Sequence, residues 1–399
     1  MNLEKIRQAR VMRGLSLSEV AERLAAAGHP LTKAALSKYE LGKSAPRQTT
    51  LVHLARLYEV PVGYFLAEPT VEIRWAAFRK HASLTRTKQE QIKASVSSVV
   101  EGQIWLEETL NPGAAPRFPK RHRVRSLEDA EAAAEAVRRE WGVENATIES
   151  VMQLIEDNGG IAVAADDAPE KFDGLSGWAN EKFPVLVSSG QPGVDRRRYN
   201  FAHELGHLAM NCDGATEAEE EKFAHRFAAA LLVPASAARH ELGAHRREIR
   251  MSELAILKQK YGLSMQAWAR RCRDLGIIGE EAYRRLFIRF SQNGWRKEEP
   301  VQFVGVEEPV RLRLLTMRAL GEGLITPSRA EELCPGCVSE ASLDESMIGH
   351  RPSEILRMPR AKRDELLAAS AAALEEDYQT DRNLTDFEAM GEGDLHVDP

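Results

Sequence analysis

Cysteine is scarce in this chain, four in 399 residues. That excludes a disulfide framework and fits a reducing compartment. No apolar run approaches the length of a membrane span. The opening residues, Met1-Asn2-Leu3-Glu4-Lys5-Ile6-Arg7, are polar and run straight into helical spacing. No secretory leader is therefore expected, and a cytoplasmic location is. Aromatic residues are few, but 43% of the chain is hydrophobic, enough for two or three cored domains at this length. The net charge is only −6, and its distribution says more than its size. Residues 1–69 hold ten Lys and Arg against six Asp and Glu, whereas residues 375–399 hold nine acidic residues against one Arg. A basic head and an acidic tail point to different partners at the two ends.

What is present in the head is a set of five short helices. Leu3, Ile6 and Ala9 give the first an apolar stripe, and Gly14 ends it. Ser16 and Glu19 form a capping box that opens the second. Thr32 caps a third helix, Lys33 to Leu41, with Leu36 and Tyr39 turned inward. Arg7, Arg10, Gly14-Leu15-Ser16, Val20-Ala21, Leu36-Ser37-Lys38-Tyr39-Glu40, Gly42-Lys43 and Pro46 make this region similar to the helix-turn-helix of the XRE family of phage-repressor-like regulators. The turn from Ala25 to Leu31 is longer than usual in that family. The resemblance implies a duplex operator read by the third helix in the major groove, and a homodimer to bind it tightly. Lys33, Ala34, Ser37 and Lys38 would then face base edges, and Lys43 and Arg47 would touch phosphate.

The middle of the chain carries His203-Glu204-Leu205-Gly206-His207. On a helix, residues four apart share a face, so both histidines can address one metal ion, and Glu204 can reach a water on it. A catalytic zinc wants a third protein ligand and an open position. The downstream helix, residues 217–232, offers Glu217, Glu219, Glu220 and Glu221. Helices from Ser126 to Trp141 and around Ile148 to Ile155, with strands at 161–164, 174–179 and 184–187, frame an α+β domain before the metal-site helix. Arg197-Arg198-Tyr199, Ala202 to His207, Glu221-x-x-Ala224-x-x-Phe227-Ala-Ala-x-Leu-Leu-x-Pro234, Asp173-Gly-Leu-Ser-Gly-Trp178 and Trp141-Gly142 together resemble the ImmA/IrrE family of metallopeptidases. The resemblance implies Zn2+ held by His203, His207 and Glu221, with Glu204 as general base. His225 stands where that family usually has Asn, as an outer group or a competing ligand. Tyr199 or a nearby arginine is a candidate to stabilise an oxyanion.

The expected organisation is multidomain and mainly α. It runs as a helix-turn-helix domain at 1–69, a helical linker at 70–124, a zincin-like α+β metallopeptidase domain at 125–300, a helical module at 301–351 and a flexible acidic tail at 352–399. The basic cluster Lys120 to Arg123 belongs to the linker, and Cys334-Pro-Gly-Cys337 is a lone CxxC with room for metal or redox chemistry. Two functions fit. One is a regulator that cleaves or binds a specific regulator protein. The other is an antitoxin that represses its own operon and neutralises a toxin through its C-terminal part, because Leu384 to Leu395 is similar to antitoxin tails.

Overall fold

Polar residues at the expected positions open the helices of the head. The structure is a computed structural model that describes residues 4–65, 71–76, 85–165, 168–169, 172–190 and 193–337. The acidic tail, and with it the antitoxin-like stretch, lies outside the described residues. Helix α1 spans Glu4–Met12, α2 Leu17–Ala26, α3 Lys33–Glu40 and α4 Gln48–Tyr58, with a 3-10 turn at Val62–Phe65. Ser16 and Glu19 close a capping box on α2, and Thr32 caps α3, so orphan first-turn amides are satisfied. Ile6, Val20, Leu24, Leu36, Leu54, Tyr58 and Phe65 meet in the core of this domain. Arg10 joins Glu40 through two bonds of 2.6 and 2.9 Å, which fixes α3 to α1.

Strand β1 (Ile73–Trp75) and the long helix α5 (Arg86–Leu110) follow, then β2 (His122–Arg123), α6 (Leu127–Glu140), α7 (Val151–Asp157), β3 (Ile161–Ala165), β4 (Gly174–Ala179) and β5 (Phe183–Ser189). The metal-site helix α8 (Val194–Ala209), β6 (Met210–Asn211) and α9 (Glu217–Leu232) come next. Four strands form one sheet in the order β1-β4-β5-β3, with β3 parallel to β5 and the other pairs antiparallel. The period of two splits its side chains cleanly. Ile161, Val163, Leu175, Val185 and Val187 pack on Ile92, Val96, Val100 and Ile104 of α5. Ala162 and Leu186 join Phe201, Ala202 and Leu205 of α8 on the other face. Residues 70–124, expected as a linker, thus supply an edge strand and the helix that covers one face of the sheet.

Helices α10 (Ala235–Leu242), α11 (Met251–Tyr261), α12 (Met265–Asp274) and α13 (Glu280–Gln292) complete the core around α8 and α9. Helices α14 (Arg311–Gly321) and α15 (Pro327–Leu333) close over the end of α5, where Leu315, Ala319, Ile325 and Ala330 meet Leu106 and Leu110. Cys334 and Cys337 are joined as a disulfide just beyond α15. The described residues are mainly helical, with a small four-stranded mixed sheet and a two-stranded parallel pair of β2 with β6, and no described helix is long and apolar enough to cross a membrane.

Candidate metal centre

Helix α8 presents two stripes at helical spacing. Arg196, Asn200 and Glu204 face the start of β4. Arg196 pairs with Asp173 at 2.8 Å and the Asn200 amide donates to the Asp173 carbonyl at 3.0 Å. Glu204 is buried, and a Cβ on Gly174 would lie 2.7 Å from its Oε1. Glycine at 174 is therefore what gives the carboxylate its place. Tyr199, His203 and His207 face α9. The two helices approach closely because Gly206 sits against Phe227, where an added Cβ would be 3.0 Å from the ring.

That approach brings Glu221 to the histidine pair. His203 Nε2 and His207 Nε2 lie 3.1 Å apart, and the Glu221 oxygens lie 3.4 Å from the first and 3.3 Å from the second. Two imidazole nitrogens and one carboxylate are the donor types zinc prefers, and ligands at about 2.0–2.1 Å on tetrahedral corners stand about 3.3 Å apart. The three residues fit such an ion, each offering one ligand atom within 4.8 Å of the others. His225 lies outside this triangle. Its ring lies tilted at 45° to that of His203, with centroids 4.5 Å apart, and its Nδ1 lies 3.1 Å from the Tyr199 hydroxyl. Burial pushes the Tyr199 hydroxyl up to about 12, so it stays protonated.

In the head, Lys33, Ala34 and Lys38 are exposed on α3 and Ser37 is half-buried, while Leu36 points into the core. Lys43 and Arg47 are exposed in the following segment. Of the six residues expected to meet DNA, five are thus exposed and Ser37 is half-buried.

Residues 6–65 match a family model described as helix-turn-helix, and residues 158–273 match one described as IrrE N-terminal-like domain, named as a peptidase family. The chain is a fusion of an XRE-type helix-turn-helix domain with an ImmA/IrrE-type domain. It joins a helix-turn-helix domain to a peptidase-like domain. A solved structure described as a Mycobacterium tuberculosis transcriptional regulator aligns at 18% identity over 44% of this chain, with a TM-score of 0.28. The alignment spans 51% of that chain, about half its length. No curated protein matches significantly.

Sequence reasoning missed how the ImmA/IrrE-type domain is braced. Arg198, a candidate for the oxyanion, is fully buried and pairs with Glu307 at 2.9 Å. Arg197 donates to the carbonyls of Gly190 and Glu307. Glu307 also accepts from Met152 N at 2.6 Å and Ser150 Oγ at 3.0 Å, which caps α7. Lys258 bridges Asp195 at 2.8 Å and Glu299 at 2.9 Å, and Glu299 accepts the first-turn amides of α12. Glu299, at the end of the expected metallopeptidase domain, and Glu307, in the expected helical module at 301–351, together strap the first turn of α8 in place. In the basic cluster, Arg121 donates to the Met210 carbonyl and β2 pairs with β6 at the end of α8.

Proposed function

We propose that this chain is a DNA-binding transcriptional regulator whose ImmA/IrrE-type domain is a zinc peptidase directed at a specific protein. The observation that carries the reading is the convergence of His203, His207 and Glu221, with Glu204 one residue from the first ligand and seated against Gly174. In this reading His203, His207 and Glu221 hold the ion, and Glu204 is the catalytic base. A bound zinc supplies Lewis acidity toward water and a peptide carbonyl, and the acidified water titrates at about 7. Glu204 accepts the proton of the attacking water and delivers it to the departing amide nitrogen, so one carboxylate serves both steps. Tyr199, protonated and positioned by His225, is a hydroxyl donor beside the pair of histidines. The buried arginines take no part in the chemistry, because Arg198 is committed to Glu307. They position α8.

The head would deliver this chemistry to an operator. Lys33, Ala34, Ser37 and Lys38 are the base-facing set, and Lys43 and Arg47 the phosphate-facing set. A homodimer and a cytoplasmic site of action belong to the same reading. Elemental analysis of the purified full chain tests the metal half. Wild type and Glu204→Gln should each carry about one zinc per chain, and His203→Ala, His207→Ala and Glu221→Ala should each lose it. Full zinc content in all three alanine variants would remove the basis of the proposal.

A further inference from the structure

Strand β1 pairs with β4, the strand whose first residue, Gly174, lies against Glu204. Strand β4 begins at Gly174, against the Glu204 carboxylate, and its inner edge is filled by β5. Its outer edge is the one beside the centre that has main-chain donors and acceptors to offer another strand. The chain fills that edge itself. Ile73 lies opposite Ala179, Arg74 opposite Trp178 and Trp75 opposite Gly177, antiparallel. Asn180 N donates to the Glu72 carbonyl and Ala76 N to the Ser176 carbonyl, both at 2.8 Å. The strand therefore runs toward Gly174 and the centre. Gly177 leaves room for its backbone, since a Cβ there would stand 2.6 Å from the Arg74 carbonyl oxygen.

The occupant is short, although Val71, Ile73 and Trp75 pack against the core on the α5 side of the sheet and Glu72 N donates to Asn180 Oδ1 at 2.9 Å. It is a three-residue strand in which Ile73 and Trp75 are half-buried and Arg74 is exposed. The Arg74–Glu181 ion pair is also exposed, and such pairs contribute little. Its inner side reaches the DNA-binding domain. Val71, Glu72 and Trp75 line a cavity of about 550 Å³ together with Lys5, Arg7 and Gln8 of α1.

We propose that the outer edge of β4 is a binding site for an extended polypeptide strand, and that β1 is a self-supplied strand that blocks it until displaced. The functional meaning of the block rests on the peptidase reading; the strand site does not. Hydrogen-bonded pairs alternate along an antiparallel ladder, so the bonds at 72/180 and 76/176 make 74/178 the pair between them. Arg74→Pro removes that donor from an exposed position. Arg74→Ala keeps the donor and removes only the ion pair.

The probe is a fluorescein-labelled, acetylated peptide amide with the sequence of residues 71–76, Val-Glu-Ile-Arg-Trp-Ala, titrated into the full chain and read by anisotropy. Arg74→Pro should bind it at least about tenfold tighter than wild type and Arg74→Ala, an advantage of about 1.4 kcal/mol. Equal binding by a folded Arg74→Pro overturns the proposal. Should that variant fail to fold, wild type is used with saturating peptide. Amide exchange in 71–76 should then speed up while 174–179 stays protected, and unchanged exchange in 71–76 overturns the proposal. Glu204→Gln combined with Arg74→Pro should bind as tightly as Arg74→Pro. Tight binding without cleavage by Arg74→Pro supports the strand site while counting against the peptidase reading.

Discussion

Glu156 should make the protein less stable as pH rises from 5 to 8, and a glutamine there should remove that loss. The side chain lies at the end of α7, 5% exposed. Its Oε2 accepts from Val310 N at 3.0 Å and Arg311 N at 3.1 Å, where α14 begins. Burial pushes the carboxyl from the ordinary 4.5 up to about 7, against the pull of those two amides. Below 4.5 both the folded and the unfolded chain hold the proton, and nothing is lost. Between 4.5 and about 7 the unfolded chain releases it while the folded chain keeps it. Stability then falls by about 1.4 kcal/mol per pH unit, roughly 3 kcal/mol in all. Above about 7 the loss is complete. Glu156→Gln keeps an oxygen for both amides and never ionises. Urea denaturation of both proteins at pH 5 and pH 8 reads the effect, because other titrating groups cancel in the comparison. The gap between variant and wild type should widen by about 2–3 kcal/mol toward pH 8. A gap that stays constant within about 0.5 kcal/mol would refute the reasoning.

Two further outcomes follow from the same contacts. Glu307→Ala strands the buried Arg198 guanidinium and should cost about 3–5 kcal/mol in denaturant titration, whereas Arg284→Ala, which breaks an exposed pair with Glu280, should cost at most about 0.5 kcal/mol; similar small losses in both would show that the strap is not structural. On an operator selected from random duplexes, Lys43→Ala and Arg47→Ala should weaken binding evenly across sequences and lower the salt slope by about 1 each; unchanged slopes would place these residues away from phosphate.

Much of this was legible because it is local. Capping boxes, the four-residue spacing of the histidines and the acidic helix that follows all lie within a few turns of one another. Ser16 and Thr32 sit at the helix starts their side chains predict. What stayed hidden depends on partners far apart in the chain. Arg198 meets Glu307 across 109 residues, and no periodicity reports a pairing of that kind. No strand was legible at 73–75, because three residues are too few for alternation to speak. Their strand character comes from β4. Helix α5 showed its apolar stripe plainly, but a stripe does not name the surface it covers, and the sheet face formed by Ile161, Val163 and Val185 was the missing partner. Arg197 and Arg198 stand beside the metal motif in sequence, whereas Arg198 is buried against Glu307 and Arg197 is spent on backbone carbonyls, which gives both to the scaffold.

The most direct measurement is recovery of protein partners from cells expressing wild type or Glu204→Gln, with the partner's ends identified by mass spectrometry. With the ion retained and the base removed, Glu204→Gln should hold an intact partner that wild type yields only as two fragments cut at one position. The same intact partner recovered equally from both would contradict a working peptidase.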